Sequence, residues 1–481
     1  MPRRALGLSR NEFVRIACVS GVAGLILLIP KIRVQPANKY YVSNAGSDGN
    51  SGTIDRPWQT IARVNSAFLF PGSQIYFKRG EIFSGQLTPT NSGIAGYPIV
   101  YGSYGKGQRP IVDGTAVNAL LIYDASASYL RFENIIFSGA TGPNLSTAIL
   151  DTHDVYVYNC DFINSGTRNG LSFYSTSGSI IYNNIVDRCN AYGNHASGFF
   201  SGSGDGTGGP HDVLFKNCIS HDNGTSLYAD HGFYVKFGAI IDHCISYNNS
   251  SAGFKLNCEL VHNSVYYPVL KNSEAYANST GIYLAHEAGR VYNNLSYSNL
   301  DHNIQLDPDA QNCHIYFNTF ANITAASNSD CLNFYETANN SANIVKNNLI
   351  IQASIVNSRS CITADGALSI SEVAANNTFD YNVYYYNGNS SAVFCKGLDG
   401  SKTFSQWKSL ANSPDPHSTL LTDVPGLVTR YTDFHPAGGG NLIGLGIPIA
   451  GYNTDKDGNP RPDPPTPGCL EVRIKKYPQG N

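Results

Sequence analysis

The chain has 481 residues, a formal charge of −3, 14% charged residues and 42% apolar ones. That is enough apolar content to bury a core, and it gives no basic surface of the kind that binds nucleic acid. One Met against 31 Tyr, 22 Phe and 47 Gly excludes a helix-rich or coiled-coil chain, because aromatic residues favour strands and Gly weakens helices.

In residues 1–37, Arg3, Arg4, Arg10 and Arg15 precede an uncharged stretch at 16–30. A basic head before a short apolar run reads as an export signal, shorter than the roughly 20 residues that span a bilayer as a helix. Residues 1–37 are therefore expected to be a signal peptide or membrane anchor, and the protein to be extracellular, periplasmic or held at the cell surface. Residues 38–118 are expected to form an N-terminal cap and first coils, with a short helix at 61–68.

From 119 to 390 one phrase recurs: Tyr158-Asn159-Cys160, Tyr182-Asn183-Asn184, Lys216-Asn217-Cys218, Asp242-His243-Cys244, Lys271-Asn272-Ser273, Tyr292-Asn293-Asn294, Phe317-Asn318-Thr319 and Lys346-Asn347-Asn348, at steps of 21 to 34 residues. Short strands and polar turns at such a period predict a parallel β-solenoid, in which stacked coils bury one continuous interior. Asn suits the left-handed turn conformation and can form hydrogen-bonded ladders. Cys160, Cys218 and Cys244 share one place in the repeat and read as a stack of buried thiols rather than as disulfides. His221, Asp222, His243 and His262 lack the spacing of a zinc site and read as turn residues.

Gly-led strands follow each phrase, and alternation puts Phe233, Val235, Phe254, Leu256, Ile282, Leu284, Ile304 and Leu306 inside. Tyr234, Lys236, Lys255, Asn257, Tyr283, Gln305 and Asp307 then face outward on one sheet, a surface suited to a long ligand. Residues 391–481 are expected to supply the C-terminal coils and a closing segment. Its Asp455-Lys456-Asp457-Gly458-Asn459 run reads as a polar turn rather than a calcium loop.

The phrase Tyr41-Val42-Ser43, Gly46-Ser47-Asp48, Gly52-Thr53 and Pro57-Trp58-Gln59-Thr60-Ile61 resembles the opening of many exported right-handed parallel β-helix proteins. The resemblance implies an all-β fold, a single right-handed parallel β-helix with an N-terminal cap. A narrower match, Ala252-Gly253-Phe254-Lys255-Leu256-Asn257 with Val269-Leu270-Lys271-Asn272-Ser273, resembles the centre of the polysaccharide lyase family nine pectate lyases. It implies that Lys255 is the catalytic base. Such lyases hold calcium through aspartates in the two preceding coils, where this chain has Ser197, Asp230, His231 and Tyr234. Only Asp230 is a carboxylate, so it alone remains as a metal ligand and no cofactor is firmly implied.

A lyase must take the proton α to a uronate carboxylate and neutralise that carboxylate. A lysine base titrates near 10.4 when free and must fall by roughly 2 to 3 to work. Lys236, Arg290 and His231 are expected beside Lys255, lowering its pKa and standing in for the calcium. Tyr234, Asn257, Tyr283, His286, Glu287, Gln305 and Asp307 are expected to bind substrate. The expected partner is a polysaccharide, with no nucleic acid, membrane attachment only through the N-terminus, and a monomeric state. Rival readings are a glycoside hydrolase using Asp205 with Asp230 or Glu259 with Glu287, a uronate epimerase, and a non-catalytic glycan-binding surface protein.

Overall fold

The computed structural model describes residues 38–473, apart from 124–125, 141–145, 176–180, 204–211, 226–229, 259–266, 324–328, 337–339, 354–358, 387–392 and 430–431. The expected signal or anchor at 1–37 lies outside the described residues, as do Asp205, Glu259 and His262.

Among the described residues, short strands stack coil on coil into three long sheets of 13, 13 and 12 strands. Nearly every pairing is parallel and joins one coil to the next, as in Phe233–Lys236 against Ala252–Cys258 and that strand against Thr280–His286. The eight residues expected to point inward are all 0–1% exposed. Their rings stack along the axis, Phe199 on Phe233 at 4.9 Å and Phe233 on Phe254 at 5.1 Å. Burying each such ring contributes about 1.5–3 kcal/mol, and this continuous interior supports the exposed face of every coil.

The opening phrase is a lid on that interior. Tyr40 stacks on Trp58 at 4.4 Å, and Trp58 is 2% exposed. Asp48 accepts from the amides of Gln59 and Thr60 and from the Thr60 hydroxyl. Thr60 in turn caps the helix Ile61–Ser66, which buries Ile61 and Val64.

Two turn ladders run along the coil, one from Cys160 to Asn382 and one from Asn194 to Asn299. At the corner between the first and second sheets the amide of Cys160 donates to Cys189 Sγ, that of Cys218 to Cys244 Sγ, and that of Cys244 to Ser273 Oγ. The same file continues as Asn294, Asn318, Asn348 and Asn382, joined side chain to side chain at 3.0–3.1 Å. The residues before them, Asn159, Asn217, Asn272, Asn293 and Asn347, have φ of 50–57°, which Asn tolerates. Two of the expected phrases are out of register. The ladder member after Cys160 is Cys189, not Asn184, which begins the strand Asn184–Asp187 and accepts from the Val155 amide. Likewise Asn318 holds the ladder position and not Thr319. A second ladder, Asn194, Asn223, Asn249, Asn278 and Asn299, sits at the corner leading into the third sheet.

In the closing segment, Asp455 accepts from the amides of Asp457, Asn459 and Glu471. Both its oxygens serve that turn. Nine cysteines are free and buried among the described residues. His221 is more than a turn residue, since its ring stacks between Tyr192 and Tyr247 at 4.9 and 4.8 Å.

Candidate functional site

The third sheet carries the outward file. In-register pairing places Phe200, Tyr234, Lys255, Tyr283, Gln305 and Asn333 side by side on successive coils. Lys236 and Asn257 pair in the adjoining file. Because parallel strands lie about 4.8 Å apart, Lys255 is flanked directly by two tyrosines. Its Nζ lies 5.2 Å from the Tyr234 ring centroid and 4.6 Å from that of Tyr283, while Lys236 Nζ lies 5.9 Å from Tyr234.

Clefts open on both sides of this rung. Toward the N-terminal coils a cleft of about 450 Å³ is lined by Arg168, Ser172, Tyr174, Phe200, Asp230 and Tyr234. Toward the C-terminal coils one of about 400 Å³ is lined by Thr280, Tyr283, Asp301, His302, Gln305 and Arg359. An extended ligand following the axis would cross Lys255 between the two.

The hydrogen bonds around the rung set its chemistry. Asn257, expected on the open face, is only 5% exposed and donates through Nδ2 to the Tyr234 hydroxyl at 3.1 Å. Burial and the Asp307 carboxylate push the Tyr283 phenol far above its usual range. His231 is 3% exposed, and burial together with the Lys255 charge drives its pKa well below 6.5. The Ala252 amide donates to His231 Nδ1 at 3.1 Å, so the ring proton sits on Nε2. Among the described residues Nε2 has no hydrogen-bond partner. His231 therefore offers an N–H and not the positive charge expected of it.

Arg290 stands elsewhere. It opens the strand Arg290–Tyr292 of the first sheet, pairs with Val269, donates to the carbonyls of Ala288, Gly289 and Asn312, and lies over Tyr267 at 4.3 Å. Its place beside Lys255 is overturned because the chain turns a corner before reaching it. His286, with φ of 63°, ends the strand Thr280–His286, and Glu287, bridged to Gln311, follows it at the corner. The register neighbours of Lys255 are Tyr234 and Tyr283. Sequence reasoning missed Arg168, Tyr174, Phe200, His302 and Arg359. Phe200 was legible from the Gly198-Phe199-Phe200 alternation, whereas Arg168 and Arg359 precede their strands and carry no periodic signal.

The four positions at which the sequence resemblance implies calcium, Ser197, Asp230, His231 and Tyr234, make a poor donor set. Asp230 accepts from the Thr225 amide, Ser197 Oγ accepts from the His231 amide, His231 presents an N–H, and the Tyr234 oxygen accepts from Asn257. One carboxylate falls short of the six to eight oxygens that calcium takes. Among the described residues no three His, Cys, Asp or Glu side chains cluster as a metal site.

Residues 40–348 match the family model described as Pel9A-like, right handed beta helix region. This chain belongs to that family. Over 299 residues it is 28% identical to Pectate lyase L of Thermoclostridium stercorarium, an alignment covering 55% of this chain and 23% of that protein. The chain thus spans under a quarter of the length of this curated relative. Among solved structures, the complex of XylC with xylose is similar at a TM-score of 0.52 and 11% identity, covering 75% of this chain and 86% of that one, a likeness of fold. Pectate lyase Pel9A matches over 92% of this chain and 98% of its own at 16% identity and a TM-score of 0.45.

Proposed function

We propose that this Pel9A-like β-helix is an exported polysaccharide lyase that cleaves a uronate-containing polymer by β-elimination, with Lys255 as the base. The observation that carries the reading is the seat of Lys255, at the centre of an outward file, between two tyrosine rings and two clefts. The similarity to Pectate lyase L supports it. A uronate over this rung would present its C5 proton to Nζ and rest its ring on Tyr283, as sugars rest on aromatic faces. Lys236 on one side and Arg168 in the cleft supply the positive charge that a uronate carboxylate needs as its α-carbon loses a proton. The basic and then apolar residues of 1–37 support export.

The test is ultraviolet absorbance near 235 nm during incubation with pectate, alginate and other uronate polymers, since elimination leaves a conjugated double bond. Lys255→Ala should lower turnover by about 10²–10⁴-fold, the usual contribution of a general base, and leave the thermal melt near wild type. Retained turnover would remove Lys255 from the base role. Reducing ends released without absorbance would replace the lyase by a hydrolase.

A further inference from the structure

The two tyrosines beside Lys255 are equivalent in register but differ in their surroundings. Burial and the Asp307 carboxylate push the Tyr283 phenol up, so a phenolate there would form against a negative charge. The Tyr234 oxygen accepts from Asn257 Nδ2 at 3.1 Å, and among the described residues no acceptor takes its proton. Tyr234 also lines the 450 Å³ cleft, and its ring lies 5.9 and 5.2 Å from the ammonium groups of Lys236 and Lys255. Asn257 is buried and stands two residues beyond Lys255 on the same face of one strand. It therefore holds the Tyr234 hydroxyl at a fixed place relative to the Lys255 amine.

We infer that Tyr234 is the general acid of the reaction, delivering its phenolic proton to the oxygen that leaves. The inference rests on the lyase reading above. Lys255 Nζ takes the C5 proton, and the C5–H electron pair becomes the C4–C5 double bond. The C4–O4 bond breaks with its electrons on O4, and O4 takes the proton of Tyr234 Oη. The products are an unsaturated uronate end and a new O4–H end. Lys255 is left as an ammonium and Tyr234 as a phenolate, and proton return between them through solvent resets the pair. Asn257 and the two cations steady the tyrosine oxygen while it lacks its proton. Without such an acid the leaving oxygen would depart as an alkoxide, a poor leaving group.

The experiment uses the full chain and whichever uronate polymer gives absorbance with the wild type. Tyr234→Phe keeps the ring and removes only the hydroxyl. The expected result is a fall in kcat of about 100-fold or more with KM within threefold, an unchanged thermal melt, and loss of the alkaline descending limb of the kcat–pH profile. Placing 3-fluorotyrosine, a more acidic phenol, at position 234 should shift that limb to lower pH, which a purely structural tyrosine would not do. Tyr234→Phe within threefold of the wild-type kcat, or an alkaline limb unmoved by fluorination, would overturn the assignment and leave the Lys255 reading standing. No absorbance from the wild type on any uronate polymer would fail the lyase reading itself, before any variant is made, and would take this inference with it.

Discussion

Asn249 is the member of the second turn ladder directly before the strand Ala252–Cys258 that carries Lys255. It is 3% exposed. Its Oδ1 accepts from the Asn223 amide at 3.2 Å and from Asn223 Nδ2 at 2.9 Å, while its Nδ2 donates to Asn278 Oδ1 at 2.9 Å and lies 3.2 Å from the Ser220 carbonyl. Asn249→Ala removes all of these. Asn223 Nδ2 keeps the Ala191 carbonyl and Ser220 Oγ, and Asn278 Oδ1 keeps the Asn249 amide. The Asn223 amide loses its acceptor. One buried orphan at about 1–3 kcal/mol and three further lost bonds at about 1 kcal/mol each predict a destabilisation of about 4–6 kcal/mol. Because coils couple mainly to their neighbours, the effect should be local and should loosen the Lys255 strand. Native-state hydrogen exchange at the Asn223 amide and across 250–256 should accelerate by two orders of magnitude or more, alongside a lower urea midpoint. Exchange at the Asn223 amide within threefold of wild type, with an unchanged midpoint, would refute the view that this ladder carries the corner.

Two further predictions bear on metal and on Arg290. With one carboxylate among the four related positions, saturating chelator should leave turnover on a uronate polymer within twofold; a tenfold loss restored by added calcium would contradict the donor set described. His314 is held down at about 4 by burial and by the Arg290 guanidinium. Its unfolded form takes a proton near 6.5 and its folded form only near 4, so stability should fall as pH drops through that window. For a partly exposed ring this is worth about 1–2 kcal/mol after screening. Arg290→Gln should raise the His314 pKa in an NMR titration and leave turnover near wild type, whereas an arginine acting on substrate would abolish turnover.

The sequence made the alternation of the third-sheet strands legible, because period 2 leaves each side chain only two faces. Lys255 in its file and Phe254 and Leu256 beneath it follow from Gly253 alone. The corners were harder to read. Asn fills two different turn ladders and also begins the strand Asn184–Asp187, so residue type does not tell one corner from another, and the phrase at 182–184 slips off the ladder that Cys189 continues. Arg290 shows the same limit at the site. It lies near Tyr283 in sequence, but the corner at His286 and Glu287 carries it onto another sheet, and coil lengths from 21 to 34 residues conceal where that corner falls. Arg168 and Arg359 reach the clefts from outside the strands, where neither period nor register constrains them.

In-register stacking also explains why so few charges remain and why one sits where it does. Each outward residue faces its counterpart one coil above and below, so a repeated side chain meets its own kind. Tyrosine and asparagine gain from that meeting, as in Tyr247 on Tyr276 and Tyr276 on Tyr297 at 5.1 and 5.3 Å. Like charges placed directly opposite repel. A lysine in such a file therefore needs neutral or acidic neighbours, as Lys216 has in Asp187 and Asp242, and on the third sheet the neighbours are neutral. Lys255 meets that condition between Tyr234 and Tyr283. Lys236 meets it by standing one file over, where its register partner is Asn257. The stagger keeps two cations within reach of one tyrosine ring without setting them face to face.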